Sequence, residues 1–68
     1  MTELTARERL VCRYLCRGWT NKEVAQKLGI SFRTVEDHRT NIFKKRRVRN
    51  MVELVRQVFD IREEEEVA

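Results

Sequence analysis

Residues 20–45 read TNKEVAQKLGISFRTVEDHRTNIFKK, and the fold follows from how this stretch is parsed. Thr20 stands three residues before Glu23, the spacing at which a hydroxyl caps a helix start and the glutamate caps it in return. A helix is predicted from Asn21 to Leu28, with Val24, Ala25 and Leu28 facing inward. Gly29 then reverses the chain, and Ser31 is a fair N-cap for a third helix reaching Arg46, with Val35, Ile42 and Phe43 on its inner face. No segment alternates apolar and polar residues for long enough to be a strand. A short helix, a tight turn at Leu28-Gly29-Ile30 and a longer helix make a helix-turn-helix, whose second helix is built to lie in a DNA major groove. The plain alternative is an ordinary helical hairpin in a basic protein.

Two more helices flank this core motif. Upstream, Thr5 and Glu8 repeat the capping spacing and open a helix from Ala6 to Arg17 that stops at Gly18. Its buried stripe is Val11, Cys12, Leu15 and Cys16. The cysteines thus read as small core side chains, with a redox-sensing pair as the alternative. Trp19 reads as a cover over the corner between the first two helices. Downstream, Asn50 with Glu53 opens a fourth helix from Met51 to Asp60. The expected organisation is an all-α, four-helix domain over residues 1–61 and a charged, disordered tail over residues 62–68.

Composition narrows the function. A chain of 68 residues buries only about 60% of its unfolded surface, which leaves little room for an enclosed active site. The net charge is +4, but residues 61–68 hold four acids and one base, so the remainder carries fourteen bases against seven acids, or +7. Such a basic balance suits a polyanionic partner. The apolar residues nowhere form the 18 or more in succession that a membrane span needs, and no apolar signal segment follows Met1. No membrane association and a cytoplasmic location are therefore expected. Cys12 and Cys16 have no second Cys or His pair to complete a zinc site, so neither metal nor cofactor is expected. With no Gly-rich phosphate loop and no nucleophile beside a base, an enzyme is not expected either.

The blocks Leu4-Thr5-Ala6-Arg7-Glu8-Arg9, Gly18, Thr20-Asn21-Lys22-Glu23-Val24-Ala25, Ile30-Ser31, Thr34-Val35, His38, Ile42 and Lys45 closely resemble the LuxR/GerE-type helix-turn-helix DNA-binding domain. The stretch Thr34 to Arg39 looks most like the FixJ branch of response regulators. The resemblance covers about residues 4–58 and implies a four-helix transcription regulator in which helix three reads bases, flanking polar groups hold phosphates and helix four pairs two copies on double-stranded DNA. RNA polymerase is the further partner that such a role implies. Members usually carry an N-terminal receiver or ligand-sensing domain, so the chain is expected to be either a stand-alone GerE-like regulator or an output domain excised from a longer protein. Where the family has Leu-Gly after the lysine matching Lys45, this chain has Arg46-Arg47, which puts the exit of helix three in question. A sigma-factor region-four-like domain is the runner-up, and a protein-interaction module sequestering a partner through helix four is the rival of a different class.

At about 100° per residue, with the buried arc of helix three centred near Phe32, an outward strip contains Arg33, Glu36, Asp37, Thr40 and Lys44, the candidate base readers. Asn21, Lys22, Thr34, His38, Asn41, Lys45, Arg46 and Arg47 are the candidate phosphate contacts. Glu36 and Asp37 sit oddly beside a polyanion. Either they accept from cytosine amino groups, or they pair within the helix, Glu36 with Arg33 or Arg39 and Asp37 with Arg33. His38 lies at the core border and reads as a structural histidine that could also reach a phosphate. In helix four the apolar arc spans about 180°, whereas about 100° suffices to face one core. Leu54, Val55 and Val58 complete the core in this reading. Met51, Val52 and Phe59, with Val55 at the border, are left for a second copy, unless Leu10 and Tyr14 of helix one cover that edge.

Overall fold

A computed structural model describes residues 3–59. They form four helices: α1 (Ala6–Cys16), α2 (Asn21–Leu28), α3 (Phe32–Arg46) and α4 (Met51–Phe59). No strand occurs among the described residues. Asp60, predicted to end helix four, and the predicted tail over residues 62–68 lie outside them.

Each helix starts where a short polar side chain can take up an orphan N–H. Thr5 Oγ1 accepts from the Glu8 N–H at 3.1 Å, and the Glu8 carboxylate accepts from the Thr5 N–H at 2.8 Å. Thr20 and Glu23 repeat this reciprocal arrangement at the same distances. Ser31 Oγ accepts from the Thr34 N–H at 3.0 Å. At α4, Asn50 Oδ1 accepts from the Glu53 N–H at 2.9 Å, but the Glu53 carboxylate reaches past it to the Arg49 N–H at 2.8 Å. The Arg49 guanidinium, 3.2 Å from the other carboxylate oxygen, holds it there.

The helix ends share one device. Past α1, Gly18 takes φ +93° and the Trp19 N–H donates back to the Tyr14 carbonyl at 3.2 Å. Past α2, Gly29 takes φ +67° and the Ile30 N–H donates to the Ala25 carbonyl at 3.1 Å. Both are left-handed caps that satisfy carbonyls the helix leaves open. Past α3 the same turn forms without glycine. Arg47 takes φ +57°, and the Val48 N–H donates to the Phe43 carbonyl at 3.1 Å. The Arg46-Arg47 departure thus leaves the exit in place and loads it with a Cβ clash that disfavours this conformation for L-residues.

α3 packs on both α1 and α2, and α4 packs on α1. Val11, Val24, Val35, Ile42 and Leu54 are wholly buried, with Leu4, Cys12, Leu15 and Ala25 beside them. Two expectations need correction. Phe32, placed at the centre of the buried arc of α3, is 49% exposed, and Val58, assigned to the core, is 47% exposed. On α3 the wholly buried pair Val35 and Ile42 sets the inward direction, and Phe32 in the first turn falls to one side of it. On α4, Leu54 alone is buried among the described residues. Tyr14 stacks on Trp19, with ring centroids 4.5 Å apart. Trp19 is half-buried at the α1–α2 corner, as expected.

Candidate nucleic-acid interface

Because Val35 and Ile42 point into the core, the opposite face of α3 points out. Arg33, Glu36, Asp37, Thr40 and Lys44 are all exposed. The two carboxylates there behave differently. Asp37 pairs with Arg33 one turn earlier, Nε to Oδ1 3.4 Å, a solvated contact of little energy. Glu36 makes no hydrogen bond or ion pair among the described residues. It lines a shallow groove of about 260 Å³ with Thr40 and Phe43 of α3, Arg39, and Asn21 from the first turn of α2. An unpaired acceptor, a hydroxyl, an amide and a guanidinium thus converge between the two helices of the helix-turn-helix.

Arg39 was expected from the sequence only as a possible helix partner of Glu36, not as a binding residue. Its guanidinium lies 5.1 Å from the centroid of the Phe43 ring, one turn along α3, a cation–π contact that holds the charge in place. The signal available in the sequence was the Arg-x-x-x-Phe spacing, hidden by the wheel position of Arg39 near the buried arc.

The candidate phosphate contacts separate into three kinds. Lys22, Asn41, Arg46 and Arg47 are exposed, and Asn21 is half-buried at the α2 N-terminus, where free N–H groups favour an anion. The hydroxyl of Thr34 is 2.8 Å from that of Ser31, within the cap of α3, and His38 is half-buried. Lys45 is different. Its Nζ donates to Oε1 of Glu8 at 2.7 Å, the same oxygen that receives the Thr5 N–H. Glu8 is 4% exposed. The Lys45 ammonium and the Thr5 N–H hold its carboxyl below the usual carboxylate range, against the opposing effect of burial. Lys45, expected on the phosphate wall, therefore has its charge committed to an internal ion pair that ties the end of α3 to the start of α1.

The cysteines add no site. Their sulfurs are 4.0 Å apart, and burial, with Cys12 adjacent, pushes the Cys16 thiol up to about 12. At neutral pH it is a protonated, half-buried thiol. Among the described residues no cluster of three or more His, Cys, Asp or Glu could hold a metal ion, and no helix is long and apolar enough to cross a membrane.

The sequence has relatives. The family described as bacterial regulatory proteins, luxR family, matches residues 2–58. The chain belongs to the luxR family. Its helix-turn-helix is α2, the Gly29 turn and α3. Among curated relatives, the transcriptional regulatory protein UhpA of Escherichia coli is 49% identical over 57 residues, covering 84% of this chain and 29% of UhpA. The Fimbriae Z protein of Salmonella typhimurium is 44% identical over 52 residues, 76% of this chain and 25% of that protein. The response regulator protein TodT of Pseudomonas putida is 43% identical over 53 residues, 78% of this chain and 23% of TodT. The chain thus spans less than a third of the length of these relatives. The family is one of regulatory proteins, not of enzymes.

The residues expected at a luxR-type pairing face do not share one surface. Met51, Val52 and Val55 line a broad, largely apolar groove of about 750 Å³, together with Trp19 and Phe32. Phe59 lines a separate groove on the far side of α4, against α1.

Proposed function

We propose that the chain is the DNA-binding unit of a bacterial transcription regulator that binds duplex DNA as a dimer, with α3 in the major groove. The observation that carries this reading is the exposed outer face of α3, with its unpaired Glu36 beside Thr40 and Asn21. Arg33, Glu36, Asp37, Thr40 and Lys44 are the base-reading set, joined by Arg39. A carboxylate among them accepts from cytosine N4, and each good base contact discriminates by about 1–3 kcal/mol. Asn21, Lys22, Thr34, His38, Asn41, Arg46 and Arg47 are the phosphate set. Lys45 leaves that set because its charge is already neutralised. Pairing through Met51, Val52 and Val55 is supported by the exposure of Val52, at 64% the highest among the large apolar side chains of the described residues. Phe59 is dropped from the pairing face. RNA polymerase remains a proposed partner of the whole regulator. The names of UhpA, a transcriptional regulatory protein, and TodT, a response regulator, favour an output domain over a stand-alone regulator.

The experiment is selection of binding sites from a random duplex pool for the parent and for Glu36→Ala and Thr40→Ala, with affinities followed against salt. Preferred bases should change for each variant, and log affinity should fall linearly with log salt. Identical selected sites would remove Glu36 and Thr40 from base reading. Failure to bind any duplex at low salt would favour the interaction-module reading instead. Val52→Glu should keep the helical content and abolish cooperative occupation of two half-sites; persistence of cooperativity would move the interface off α4.

A further inference from the structure

α1 and its C-cap carry three exposed arginines, Arg9 and Arg13 in the helix and Arg17 at the cap, four residues apart. They rim a groove of about 330 Å³, completed by Arg46 from the end of α3. None of the four is in an ion pair among the described residues. Like charges one turn apart destabilise a helix slightly, and among the described residues this row has no counter-charge. Leu4, Cys16 and Val58 supply apolar surface to the same groove. No residue of α2 and none of the outward strip of α3 lines it, so it lies apart from the proposed base-reading strip and shares only Arg46 with the proposed phosphate set.

The last described residue stands at this groove. Phe59, the last residue of α4, lines it, and the sequence continues with Asp60, Ile61, Arg62 and the run Glu63–Glu66. From Phe59, four residues reach at most about 14 Å when extended. The arginine row from Arg9 to Arg17 is about 12 Å long at about 1.5 Å per helical residue. The acidic run therefore starts within reach of the row, and four carboxylates meet four guanidiniums.

We propose that this groove is the docking site of the chain's own acidic run, Glu63–Glu66, with Ile61 on the apolar surface and the carboxylates on Arg9, Arg13, Arg17 and Arg46. The docked run neutralises a basic patch away from the DNA-reading face. It also fastens α4, of which Leu54 is the one fully buried side chain among the described residues. Docking on Arg9, Arg13 and Arg17 does not depend on what α3 binds, whereas at Arg46 the run and a DNA phosphate compete for one guanidinium.

The test uses the full 68-residue chain and a variant with Glu63, Glu64, Glu65 and Glu66 all replaced by Gln. The arginine side-chain Nε–H signals are followed by NMR at low and high salt. In the parent, the signals of Arg9, Arg13, Arg17 and Arg46 should differ from those of the variant at low salt. The difference should close as salt shortens the screening length from about 10 Å at about 0.1 M to about 3 Å at about 1 M. Amide exchange in α4 should be faster in the variant, and its melting temperature lower by about 2–5 °C. Arg13→Gln with Arg17→Gln should lower the melting temperature in the parent and do so much less in the Gln variant. Coincident arginine signals in the two chains, or fully additive effects, would overturn the proposal. Signal differences that vanish on dilution would also overturn it, by placing the run on a second copy.

Discussion

Replacing Lys45 by Met, which keeps the length of the stem and removes the charge, should destabilise the domain rather than weaken its hold on DNA backbone. The 2.7 Å contact joins a Glu8 side chain 5% exposed to a Lys45 side chain 23% exposed. Removing one partner of a buried pair costs about 3–5 kcal/mol, because the other charge stays behind without compensation. Here the lysine end is partly solvated and the Thr5 N–H remains on Glu8, so about 2–3 kcal/mol is the expected loss. A domain of this size has about 3–10 kcal/mol to lose. The melting temperature should drop by about 10–20 °C. The cost should depend on pH. Glu8 titrates lower in the folded chain than a free carboxylate does. Its stabilising contribution is therefore complete above the ordinary carboxylate range and is lost as pH falls through the folded value. Urea unfolding of the parent and of Lys45→Met should show the full gap at pH 7, narrowing in acid as Glu8 protonates. Adding Glu8→Gln to Lys45→Met should recover part of the loss, since no buried charge is then stranded. An unchanged urea midpoint at pH 7, with a salt slope for DNA binding reduced by about one, would refute the reasoning and return Lys45 to the phosphate contacts.

Arg47→Gly should raise stability by about 1 kcal/mol, because glycine occupies the left-handed position without the Cβ clash that Arg47 bears at φ +57°. A thermal melt with no gain would mean that the Arg47 side chain makes a compensating contact. Leu54→Ala should cost about 2–5 kcal/mol and loosen α4 first, as read by hydrogen exchange, since this is the wholly buried side chain of that helix. Equal loosening of α2 and α4 would show that α4 is not the weakly held element. Arg39→Ala should reduce DNA affinity with a small effect on the melting temperature, because its contact with the half-buried Phe43 is a single cation–π pair worth about 0.5–2 kcal/mol; a melting loss as large as that of Leu54→Ala would make Arg39 a structural residue.

What could be read from the sequence alone is what depends on neighbours a few residues apart. The pairs Thr5 with Glu8 and Thr20 with Glu23, and the glycines at 18 and 29, act through the backbone they sit in, so helix starts and ends followed from spacing. The outward strip of α3 was legible for the same reason, since a helix fixes the bearing of Glu36 relative to Thr40 whatever surrounds it. The family was legible because several such local signals occur in one order. The tertiary structure decided everything that depends on which surface meets which. Glu8 and Lys45 are 37 positions apart, and no local rule joins a capping glutamate to a lysine that reads as a phosphate contact. Phe32 and Val58 carry apolar side chains on plausible inner faces, yet packing against a partner is what removes a side chain from water, and the partners of α3 and α4 turn other residues inward. The apolar breadth of α4 could not be divided by periodicity into its two grooves, since a helical wheel gives direction around an axis but not what lies along it. At Arg47 the closed α3–α4 connection holds an arginine where the backbone by itself favours glycine, because a local strain of about 1–2 kcal/mol is small beside the burial of Ile42 and Leu54 that this connection permits.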